Sequence, residues 1–268
     1  MSYNPDRINI HELTVEEPEK QEGLPFDPER DITEQDWRGM RSILESWKHN
    51  DWQSFSAQAM EMKIIDPTQN LNLDQDDWQG MTGCLASLRD DQRFDSLAVL
   101  VMGMKILGPE KDIGIQQDDW GAIRELLERN RGSNWWYFSF LAIRMKFVNP
   151  TKDLNINEEA WQGMDRQLEM YKEIHQYDSF AKQAMNIKLL SCKKEIKIDR
   201  STWQGIKDLL KEYEREGNWS DFSSIASAIK ILAAEKVEVT DKGLEITMPK
   251  PKKDLKPRAQ PLPEVKQF

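Results

Sequence analysis

Residues 161–190 read WQGMDRQLEMYKEIHQYDSFAKQAMNIKLL. Trp161, Met164, Leu168 and Tyr171 step by three, four and three residues, which lines one face of a helix. After a polar break, Tyr177, Phe180, Ala184 and Ile187 repeat the same steps. Two amphipathic helices in a hairpin explain both halves. The chain writes this hairpin five times, with the first helix opening at Trp37, Trp78, Trp120, Trp161 and Trp203. The second closes at Lys63, Lys105, Lys146, Lys188 and Lys230.

A period of 41–42 residues lies in the range of stacked helical hairpins. The expected fold is therefore all-α: a right-handed α-solenoid of five helix-turn-helix units over residues 31–236. Short, highly charged units favour an open superhelix over a closed toroid. The period resembles that of HEAT-like repeats, but the residues match no consensus, so no site is carried over. Residues 237–248 are expected to cap the array. They form either a β-hairpin around Asp241-Lys242-Gly243 or a truncated sixth repeat.

Within the units, Gly39, Gly80, Gly163 and Gly205 follow the Trp by two residues, and Gly121 follows by one. A helix-interior glycine costs ~1 kcal/mol relative to alanine, so its return predicts another helix or loop packed close against it. Thr33, Asp74, Asn157 and Asp199 are expected N-caps, and acids crowd the turn that follows, where the helix dipole favours them. Pro67, Pro109 and Pro150 end three of the second helices.

The net charge is −10, unevenly spread. Residues 1–30 carry −5 and contain Pro5, Pro18, Pro25 and Pro28, the composition of a flexible acidic arm. Residues 249–268 carry +4 and read as a disordered Pro/Lys-rich tail. The acidic body disfavours nonspecific binding to nucleic acid or anionic membrane. Cys84 and Cys192 lie in different registers and suggest no disulfide framework. No basic, apolar leader opens the chain, and the most apolar window, 97–107, is too short to span a bilayer. A cytoplasmic protein is the expectation.

No catalytic or metal set stands out. His11, His49 and His175 are scattered, and no phosphate loop or nucleophile elbow occurs. Neither a cofactor nor an enzymatic role is expected. The residues that break the repeat are Trp136, Tyr137 and Phe140, where sibling units carry mostly polar or small side chains. They are expected to form an outward-facing aromatic group for binding a partner. The row Lys63, Lys105, Lys146, Lys188 and Lys230 has two readings: a phosphate or acidic-partner edge, or cations complementing the helix C-termini. The second is favoured. The functional expectation is a scaffold or adaptor that binds a protein or peptide on its concave surface. A nucleic-acid or phosphorylated-partner binder using the lysines and the basic tail is the alternative. An α/α-fold enzyme is a third class, which would need a pocket with convergent polar groups.

Overall fold

A computed structural model describes residues 32–191 and 194–249. The acidic arm and all but the first residue of the basic tail lie outside them. The described residues are mostly helical, in ten helices and one two-stranded sheet. The helices are α1 Glu34–Trp47, α2 Trp52–Ile65, α3 Gln75–Asp90, α4 Phe94–Leu107 and α5 Gln117–Asn130. They continue as α6 Trp135–Val148, α7 Glu158–Glu173, α8 Tyr177–Leu190, α9 Arg200–Glu216 and α10 Trp219–Ala233. The strands are β1 Lys236–Thr240 and β2 Gly243–Thr247.

The helices start where their caps place them. Thr33, Asp74, Asn157 and Asp199 each accept from a backbone N–H of the first turn. Three linkers also share a turn: Asn72, Gly114 and Asn155 sit at positive φ, each donating its N–H to an Asn or Asp two residues earlier. The apolar residues that flank them, such as Leu71 and Leu73, pack onto the core.

The even-numbered helices pack on one another in the order α2, α4, α6, α8, α10 and back to α2. Each odd-numbered helix packs on its own even partner and on the even helix of the unit before it, with α1 resting on α10. This corrects the expected open superhelix: the five hairpins close into a double-layered ring. The reason is visible at the seam, where the last unit meets the first through the contacts that join internal units. Trp52, Trp135 and Tyr177 each lie over a glycine of the next unit, Gly80, Gly163 and Gly205 respectively, and Trp219 lies over Gly39 in the same way. A β-carbon at any of these glycines would collide with the ring above it. Gly121 has nothing against it, and Ala122 occupies its siblings' place in that unit. Because the ring closes, no unit is left with an exposed apolar end, and no capping repeat is needed.

The core lies between the two layers. Met40, Met81, Ile123, Met164 and Ile206 from the outer helices are fully buried, as are Phe55, Phe138 and Phe180 from the inner ones. The tryptophans that begin the outer helices are more peripheral than core residues. Trp37 and Trp120 are buried, while Trp78, Trp161 and Trp203 are half-buried. Lys111, Lys152 and Lys194 lie over the rings of Trp78, Trp120 and Trp161.

The outer layer is latched from unit to unit. Lys48 pairs with Asp77 at 2.9 Å, Arg89 with Asp119 at 2.7 Å, and Lys172 with Asp199 at 2.6 Å, while Arg131 reaches Asn157 at 3.4 Å. These four basic residues stand eleven positions after their Trp, where the fifth unit has Glu214. At the seam no basic residue stands in that place, and buried Asp36 closes the capping box with Thr33. The seam is held from the inside of the ring instead.

The strands form an antiparallel hairpin, with Val239 opposite Leu244. Buried Val237 and Val239 turn inward, and Gly243, at φ +103°, settles beside Pro109 and the Lys105 carbonyl. The hairpin thus lies across the C-terminal ends of α4, α6 and α8. No described strand or helix crosses the opposite end, where the inner helices begin.

Candidate functional site at the open end of the ring

At the open end, α6 carries Trp136, Tyr137 and Phe140 in a mutual stack, with ring centroids 5.3–6.4 Å apart. The sequence suggested that this group faces outward; the structure turns it into the ring. The Tyr137 hydroxyl donates to Asp95 on α4 at 3.1 Å. Burial, and then the Asp95 charge and hydrogen bond, push the Tyr137 phenol up to about 12, so it is a fixed donor at neutral pH. Tyr137 and Phe140 pack against the hydrophobic core, whereas Trp136 does not. The reason is the closure. The inner helices share a narrow axial space, and Phe140 fills it where its siblings present Ala57, Val99, Lys182 and Ser224.

Three charged residues converge behind this stack, and the sequence reading missed them. Arg144, one turn after Phe140, lies with its guanidinium 3.2 Å from that ring's centroid and donates to the Phe140 carbonyl at 2.6 Å. Burial lowers Arg144 to about 9, against the opposing pull of Tyr137 and Glu61. It remains a cation at neutral pH. Glu61 sits on α2 and Lys182 on α8, and the Glu61 carboxyl feels the Lys182 charge. Neither α6 nor α8 neighbours α2 in the ring, so these groups sense one another across its interior. Comparison between units could have flagged two of them. The place of Glu61 and Arg144 holds Gly103, Asn186 and Ala228 in the other units.

Around the rim, Lys182 pairs with Asp178 at 2.8 Å and with Asp221 at 3.7 Å. Tyr213 is pushed up to about 12 by burial and then by Asp178, Asp221, Glu212 and Glu216, which marks that side of the opening as acidic.

The lysine row lies at the other end. Lys146 donates to the carbonyls of Leu189 and Leu190, Lys188 to those of Leu232 and Ala234, and Lys230 to that of Ile65. Each ammonium therefore caps the C-terminus of the next inner helix, and Lys230 does so across the seam. Lys63 turns to Pro67 and Gln69 carbonyls of its own loop, and Lys105 to the Lys111 carbonyl. A groove of about 860 Å³ opens beside Lys63, between Leu71, Trp78 and Lys111. It presents mixed polar groups with no convergent pattern.

Among the described residues, no group of three His, Cys, Asp or Glu is placed to hold a metal ion. No described helix is long and apolar enough to cross a membrane. Cys84 is a free, half-buried thiol, while Cys192 lies outside the described residues. No protein-family model, curated protein or solved structure matches this chain. The site must be read from its own chemistry.

Proposed function

We propose that the ring is a non-enzymatic binding module that takes a basic peptide segment at its open end. The observation that carries this reading is Trp136. It is the one member of the aromatic stack not packed against the core, and it stands at a mouth rimmed by Asp95, Asp178 and Asp221. A partly exposed indole beside carboxylates suits an arginine or lysine side chain, which gains a cation–π contact and charge pairing together. The reading keeps the protein or peptide partner expected from the sequence, but moves it from a solenoid's concave face to the mouth of a ring. The lysine row offers a phosphorylated partner little, because its ammonium groups already cap backbone carbonyls. An enzymatic reading gains a half-buried carboxyl in Glu61, yet aromatic and charged side chains occupy the interior where a substrate would have to sit.

Calorimetry with tetra-arginine and tetra-glutamate peptides tests this. The arginine peptide is expected to bind, the glutamate peptide not. Trp136→Ser, which restores the residue type of Ser220, is expected to leave the fold intact and weaken binding at least tenfold, about 1.4 kcal/mol. Equal binding of both peptides, or no effect of Trp136→Ser, would contradict the assignment.

A further inference from the structure

Two places in the ring are built alike and differ by one ionisable group. Between α6 and α8, Ser139 Oγ lies 2.9 Å from the Trp136 carbonyl, 2.8 Å from the Gln183 amide and 3.5 Å from Asn186 Nδ2. Between α10 and α2, at the seam, Ser223 Oγ lies 2.9 Å from the Ser220 carbonyl, 3.0 Å from the Gln58 amide and 2.6 Å from Glu61 Oε2. Serine, glutamine and the third partner stand at equivalent positions of their units. Asn186 and Glu61 are therefore counterparts.

A hydroxyl has one proton and two lone pairs. In both places it faces a main-chain carbonyl three residues back, which can only accept. If the serine proton goes there, the other two neighbours must donate. Gln183 and Gln58 do so once each amide is turned with its nitrogen toward the serine, and both amide nitrogens are otherwise buried without a partner. Asn186 donates through its amide. Glu61 can donate only as the neutral acid.

We propose that Glu61 closes the ring as a protonated carboxylic acid, donating to Ser223 across the seam, so that closure is a proton-sensitive latch. The charged groups around it are identifiable. Asp221 and the hydroxyls of Ser223 and Ser224 face it from α10, Lys182 from α8 and Arg144 from α6. The charged residues of α4 are engaged elsewhere, Asp95 with Tyr137 and Lys105 with the Lys111 carbonyl. Helices α1 and α3 lie on the outer side of α2. Burial pushes the Glu61 carboxyl up to about 7 against the Lys182 charge, and a hydrogen bond donated by the acid to Ser223 favours the same neutral form.

The sign of the pH dependence follows. In the unfolded chain Glu61 ionises near the ordinary value of about 4.3. Between there and about 7 the folded ring holds a proton that the unfolded chain has lost. Stability is therefore fully present below the lower value, falls as pH rises through this window, and is level above it. At full difference in occupancy, one proton changes the unfolding equilibrium tenfold per pH unit.

Urea melts of the full chain between pH 5 and pH 8 test the latch. Wild type is expected to lose stability across the window, and Glu61→Gln, which donates as Asn186 does, to lack that component. Asn186→Asp is expected to add a second component of the same sign. Carboxyl ¹³C shifts of glutamate-labelled wild type supply a reading independent of folding, with Glu61 expected to be protonated at pH 5.5. Parallel stability curves for wild type and Glu61→Gln would overturn the latch. So would an ionised Glu61 at pH 5.5, which would also decide the matter if Glu61→Gln failed to fold.

Discussion

Gly39→Leu is expected to destabilise the protein by ~3 kcal/mol, although leucine is much the better helix former. In the closed ring the new side chain drives into the Trp219 indole, which lies directly over Gly39. Overpacking of this kind costs ~1–3 kcal/mol, and a rigid indole leaves little room to yield. In an open array no preceding unit would set an aromatic ring over Gly39, and the same substitution would stabilise by ~1 kcal/mol through propensity alone. The two architectures thus differ in the sign of the effect. Trp219→Ala is expected to cost ~2–3 kcal/mol, below the range for fully buried aromatics because Trp219 is half-buried. Together the two substitutions should cost less than their sum, since the leucine enters the space that the indole vacates. Denaturant melts of the four proteins in this cycle provide the check.

Arg89→Ala is the second large effect, expected at ~3 kcal/mol. Arg89 grips Asp119 with Nε and a terminal nitrogen, at 2.9 Å and 2.7 Å, while also donating to the Gly114 carbonyl. Asp119 is only 1% exposed, so removing the guanidinium strands a buried carboxylate. Burial alone would raise the Asp119 carboxyl, but the hydrogen bonds from Arg89 and the Gln116 amide hold it below its ordinary value. A depressed carboxyl contributes stability above its unfolded pKa and loses it as pH falls through the folded one. The penalty of Arg89→Ala should therefore be full at neutral pH and shrink in acid, once Asp119 takes a proton. A penalty that persists unchanged in acid would mean that lost packing, and not a stranded charge, is responsible.

The hairpins were legible because their determinants are local: the 3-4-3 spacing, the N-caps and the prolines act within one unit. Closure is a sum over all the units, and no single unit states it. Yet one residue did carry it. In an open array Gly39 would have no aromatic residue of a preceding unit to receive, so its presence in the first unit pointed to a neighbour there. Trp219 in the last unit made the same statement from the other side. The aromatic stack was correctly singled out by comparing siblings, but its direction depends on closure, and the inward turn of Tyr137 and Phe140 follows from it. Glu61 and Arg144 escaped notice because isolated charges in an acidic chain look like solvated surface. Only the ring brings Glu61 within reach of Arg144 and Lys182. The lysines were readable as helix caps, though not that Lys146, Lys188 and Lys230 would cap the next unit's helix and not their own.

Everything functional in this account rests on the seam, and nuclear Overhauser contacts in a sample labelled at glycine and tryptophan examine it directly. The closed ring predicts strong contacts between the Gly39 α-protons and the Trp219 indole, with a ring-current shift of Gly39 that disappears in Trp219→Ala. Gly80 with Trp52 and Gly163 with Trp135 serve as internal references, since they pair within the array whether or not it closes. Contacts at both references but none between Gly39 and Trp219 would mean an open array, and would contradict the ring.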